Sequence, residues 1–71
     1  MAHYKVSFRV NCITYFTGGD CSYPSDEAIE KDEIDMDIAY ESAAIFAADC
    51  KKTLALNERI EPGSIEFEIY R

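Results

Sequence analysis

Seventy-one residues are enough for one domain with one small core and exclude a second. A hydrophobic share of 48%, with five tyrosines and four phenylalanines, is too high for a disordered chain. Fourteen acids against seven bases leave a formal charge of −7, and such a surface repels the phosphates of a nucleic acid, so direct nucleic-acid binding is not expected.

From the N-terminus, residues 4–12 alternate. Tyr4, Val6, Phe8, Val10 and Cys12 point one way, and Lys5, Ser7, Arg9 and Asn11 the other. That period of two predicts a half-buried strand. Ile13, Tyr15 and Phe16 extend it with a bulge or change of face, and Thr17-Gly18-Gly19-Asp20 reads as the turn that ends it. Over residues 20–32, Pro24 and Ser25 fit a short helical turn at 26–31 with Ser25 as its cap, and equally a surface loop. From Glu33 alternation returns. Ile34, Met36 and Ile38 are set between Glu33, Asp35 and Asp37, predicting a second, shorter strand.

Ala39, Ala43, Phe46, Ala47, Cys50 and Leu54 then fall on one stripe of a helix, with Asp37 as cap, acids at its start, and Lys51 and Lys52 near its end. Small alanines let such a helix lie close on a sheet. Asn57 is the expected stop and Glu61-Pro62-Gly63 a turn. Ser64 to Tyr70 alternates again, with Ile65, Phe67 and Ile69 inward, as a third strand.

The expected fold is α+β: β-β-α-β over residues 1–71, a three-stranded antiparallel sheet in order 2-1-3 with one helix on one face. Charge sets the order. Lys5 and Arg9 on the first strand are neutralised from both sides if that strand lies between Glu33/Asp35/Asp37 and Glu66/Glu68, whereas the two acidic strands side by side would repel.

Lys5, Ser7, Arg9 and Asn11 also interrupt any apolar leader, so neither a signal peptide nor a membrane span is expected. Three cysteines cannot pair completely, and no C-x-x-C is present, which suits a reducing cytoplasm. His3, Cys12, Cys21 and Cys50 have the composition of a zinc site but not its spacing. His3 and Cys12 fall on opposite faces of one strand, roughly 30 Å apart. Cys12 and Cys50 read as core residues and Cys21 as a loop residue. With His3 the only histidine and no phosphate-binding loop, neither an enzyme nor a cofactor is expected. The acids at 32–37 lack the turn glycine and the closing glutamate of a calcium loop.

What stands out is the placing of the acids. Asp26, Glu27, Glu30, Asp32, Glu33, Asp35, Asp37 and Glu41 crowd one segment relieved only by Lys31. Such a run is either a solvated face or a surface that docks on a cationic groove, with Tyr15 and Tyr23 as aromatic anchors. Ile45, on the polar side of the helix, is expected to be covered by the 20–32 loop. In length, layout, acidity and want of catalytic motifs the chain resembles, as a class, the small acidic inhibitors that phages encode, anti-CRISPR proteins among them.

That resemblance implies a cytoplasmic inhibitor in a bacterial host, monomeric or weakly dimeric. Its protein partner would carry a basic nucleic-acid-binding surface, such as that of a Cas effector. The alternative is a small regulatory or assembly module pairing through exposed sheet edges.

Overall fold

The computed structural model describes residues 2–70. Strand β1, Ala2–Val10, carries the alternation as read: Tyr4, Val6, Phe8 and Val10 are buried while Lys5 and Arg9 face solvent. It ends in a reversal rather than a bulge. Asn11 and Cys12 have φ of 52° and 64°, the two left-handed residues of a two-residue type I′ hairpin. Strand β2, Ile13–Cys21, then pairs with β1 over its whole length, from Val10↔Ile13 to Ala2↔Cys21.

The second strand is therefore 13–21, and the strand expected at 33–38 does not form. Two signals misled. Asn11-Cys12 lacks the glycine that marks such turns, and Gly18-Gly19, read as a turn, lies inside β2. Both glycines serve close approach: a Cβ on Gly18 would stand 2.3 Å from the Tyr4 carbonyl oxygen, and the Phe46 ring rests on Gly19, 3.1 Å from where its Cβ would be.

Beyond β2 the chain forms helix α1, Asp26–Lys31, so the helical alternative for this stretch is the one observed. The Ser25 hydroxyl accepts from Ala28 N–H at 3.1 Å, as expected of the cap. Helix α2, Met36–Thr53, begins three residues before the apolar stripe. Its cap is Asp35 rather than Asp37, with a carboxylate oxygen accepting from Asp37 N–H and Ile38 N–H at 3.0 and 3.3 Å. Residues 33–38 thus alternate because they are a linker, a cap and a first helical turn. The helix ends before Asn57: Ala55 takes φ 54°, and Ala55 N–H and Leu56 N–H close back on Lys52 and Lys51 carbonyls. Strand β3, Glu66–Tyr70, lies on the other side of β1, in the register Lys5↔Glu68 and Val6↔Phe67.

The sheet is antiparallel in order β2-β1-β3, the order and fold class expected. The molecule is a two-layer slab of 39 × 20 × 14 Å. Ala39, Ala43 and Ala47 of α2 are fully buried and bring the helix down on Tyr4, Val6, Phe8 and Val10. The Tyr4 ring packs edge-on to Phe46 and stacks on Phe67, and Phe8 stacks on Tyr15. Each fully buried large side chain, such as Val6, Phe8 or Val10, contributes about 1.5–3 kcal/mol, and the half-buried Tyr15, Phe46 and Phe67 less.

The charge layout is half as expected. Lys5 faces Glu68 on β3, but on β2 it faces Gly18, and Arg9 meets Glu61 at 3.7 Å instead of the acids of 33–37. Arg9 also extends the ladder past β3: its N–H donates to Ser64 Oγ at 3.1 Å and its carbonyl accepts from Glu61 N–H at 2.9 Å.

Candidate functional site

The eight acids of 26–41 fold into a continuous ridge: α1, the 32–35 linker and the first turns of α2, all exposed. With Lys31 they sum to −7, equal to the formal charge of the whole chain, because the remaining six acids and six bases cancel. The ridge carries the net charge, and the rest of the chain sums to none.

Several of these acids hold the ridge together. Asp26 and Glu27 sit in the first turn of α1, where the helix dipole favours them, and Glu27 pairs with Lys31 at 2.7 Å. Asp32 ends α1 with φ 55°, its N–H and that of Glu33 closing on Ile29 and Ala28 carbonyls. Asp35 caps α2, and Asp37 lies in its first turn. Glu30, Glu33 and Glu41 face solvent.

The two tyrosines separate. The Tyr23 hydroxyl accepts from Asp35 N–H at 2.6 Å, so it ties the approach to α1 to the start of α2 and belongs to the ridge as a brace. Tyr15 lies on the inner face of β2 against Phe8, away from the acids. Its place among the anchors is therefore not supported by position.

Other expected placements change too. Cys12 is exposed at the hairpin tip, not in the core. Cys21 ends β2, half-buried, its Sγ 4.0 Å from Ser42 Oγ, and Cys50 lies on the helix stripe, Sγ 4.0 Å from the Phe16 carbonyl. Among the described residues no cluster of histidine, cysteine and carboxylates has the geometry of a metal site, and no helix is long and apolar enough to cross a membrane. Ile45 is 66% exposed rather than covered by the 20–32 segment.

Among the described residues, none is layered on the face of the sheet away from α2. That face bears His3, Lys5, Ser7 and Arg9 of β1 beside Thr14, Phe16 and Asp20 of β2 and Glu66 and Glu68 of β3, with His3 Nδ1 2.6 Å from an Asp20 carboxylate oxygen. Phe16 is 71% exposed there, the most exposed large apolar side chain among the described residues. Its alternation with Tyr15 was the signal that one of the two must point out. Two shallow clefts border this face, of about 220 Å³ beside Phe16 and Lys5 and about 350 Å³ between Arg9 and the Glu61–Ser64 turn. Comparison with known protein families, curated proteins and solved structures finds no match for this chain.

Proposed function

We propose that the protein acts by docking its acidic ridge on a cationic surface of another protein, as an inhibitor of a nucleic-acid-binding effector such as a CRISPR-Cas complex, without catalysis. One observation carries the reading: the entire net charge sits on one braced, capped and solvent-facing ridge. A solubilising charge needs no such concentration, since acids spread over the surface serve equally well. A ridge of one sign steers a basic partner and competes with the phosphates that partner ordinarily holds.

The test is capture of partners from a bacterial lysate by the wild-type chain and by a variant carrying Asp32→Asn, Glu33→Gln and Glu41→Gln. These changes spare the caps Ser25 and Asp35. Supporting the proposal would be a nucleic-acid-binding protein retained at low salt, released as salt rises, and lost to the variant. Capture that ignores both salt and the variant would sink it.

A further inference from the structure

We propose that the free edge of β2 is a self-association site, through which two copies of this chain join in one antiparallel six-stranded sheet with Thr17 on the two-fold axis. The backbone sets the donors and acceptors. In a two-residue hairpin the residues flanking the turn form a hydrogen-bonded pair. With Val10↔Ile13 as that pair, Ile13, Tyr15, Thr17, Gly19 and Cys21 bond to β1, while the N–H and C=O groups of Thr14, Phe16, Gly18 and Asp20 point outward. These four residues are all exposed, and β2 lies at the end of the sheet. Among the described residues, only the Cys50 thiol approaches this edge, with its Sγ 4.0 Å from the Phe16 carbonyl oxygen, which keeps a second lone pair.

The strand is complementary to itself. Antiparallel overlap of the whole of Ile13–Cys21 with its copy sets Thr17 opposite Thr17. On the outer face Phe16 then lies opposite Gly18 of the second copy and Thr14 opposite Asp20. On the inner face Tyr15 lies opposite Gly19. Each aromatic ring meets a glycine, and the two Phe16 rings, diagonal neighbours about 7–8 Å apart, cover the paired glycines.

The helix agrees. Ser42 beside Cys21, Phe46 over Gly19 and Cys50 beside Phe16 show α2 running antiparallel above β2. The axis through Thr17 therefore falls level with the turn Phe46–Cys50, and two antiparallel copies of α2 meet along the side that carries the exposed Ile45 and Asp49, so that the two Asp49 carboxylates repel at low salt. A nine-residue edge with Phe16 and Ile45 added is a small interface, of the kind that associates in a concentration-dependent way.

Charge selects β2 over β3 and a second copy over continued growth. The outward side chains of β3 include Glu66 and Glu68, which guard that edge, whereas β2 has one acid, Asp20, already paired with His3. The joined sheet would end in β3 on both sides, so association stops at two. The ridges begin after Cys21, and the two Cys21 residues lie at opposite ends of the paired strands, roughly 26 Å apart. That separation exceeds the Debye length of about 8 Å at physiological salt, so their repulsion is screened.

Self-association and docking are separable, because their salt dependences have opposite signs. Sedimentation of the full chain over a concentration series, at low and high salt, is expected to show a dimer that strengthens as salt rises. Phe16→Lys is expected to weaken it at least tenfold with an unchanged circular dichroism spectrum. A register test reads the axis. Thr17→Cys is expected to form a symmetric disulfide between the two copies under mild oxidation, mapped to position 17 by peptide mass spectrometry. Thr14→Cys is expected not to, its two copies lying six residues apart along the pair. A monomer at every concentration and salt, a dimer indifferent to Phe16→Lys, or equal cross-linking at positions 14 and 17 would each overturn it.

Discussion

Among the described residues, four other than glycine hold left-handed backbone: Asn11, Cys12, Asp32 and Ala55. Asn and Asp tolerate that region through local hydrogen bonding, but Cys and Ala carry a Cβ that crowds the following carbonyl. Cys12 occupies the second turn position, where glycine is preferred, and Ala55 the helix-terminating one. Cys12→Gly and Ala55→Gly are each expected to raise stability by about 1 kcal/mol, or several degrees in Tm for a domain of this size, read by thermal unfolding. Equal or lower Tm in both would mean that the strain is relieved elsewhere.

Tyr4 makes the complementary case. Its hydroxyl is buried without a well-formed hydrogen bond, the Ser42 hydroxyl being near but poorly placed. Burial is the main cause holding its phenol above the usual range; Ser42 opposes it, and Cys21 and Tyr23 add to it. Tyr4→Phe removes an unsatisfied donor and is expected to leave stability unchanged or raised by about 1 kcal/mol. The raised value also fixes a pH signature. The folded state holds the proton more tightly than the unfolded one, so the stabilisation is complete below about pH 10. It is lost as pH climbs from there through the folded pKa, because the unfolded chain ionises first. Alkaline unfolding midpoints of wild type and Tyr4→Phe are expected to diverge only in that window.

At the scale of elements, β1, α2 and β3 were legible because each buries one face and so writes its own period into the sequence. β2 was not, since its signal is split. The turn before it has no glycine, and its two glycines lie mid-strand, where Gly18 clears the Tyr4 carbonyl and Gly19 takes the Phe46 ring. A period of two over the six residues 33–38 cannot be told from a cap plus a helical turn, because Ile34 packs on the core whichever way Met36 and Ile38 point. The acids of the ridge were legible by density; that Asp35 caps α2 and Tyr23 braces it was not, as both depend on contacts across the linker. Gly18→Ala tests the account of β2. An added Cβ 2.3 Å from a backbone oxygen has no flexible neighbour to displace, so the variant is expected to lose about 3 kcal/mol or more and, at this size, to be largely unfolded at 37 °C. A native-like Tm for it would show that the hairpin tolerates a wider strand separation here.

For the whole molecule, segregation of charge sets stability against the proposed docking. Like charges spaced by three or four residues, as in Asp37 and Glu41 on α2, each cost about 0.2–0.5 kcal/mol at low salt, while the remainder of the chain has no net charge to offset the ridge. Asp32→Asn, Glu33→Gln and Glu41→Gln together are therefore expected to stabilise the fold by roughly 0.5–1 kcal/mol at low ionic strength. The gain should fade as salt shortens the Debye length toward about 3 Å at 1 M. Urea unfolding of wild type and variant at low and high salt reads this directly: the gap between the two curves should close as salt rises, with wild type gaining stability. The same substitutions are those expected to abolish the proposed docking, so the two effects have opposite signs. A variant no more stable than wild type at low salt would mean that the ridge is already balanced within itself, and the charge would then impose no strain that docking could relieve.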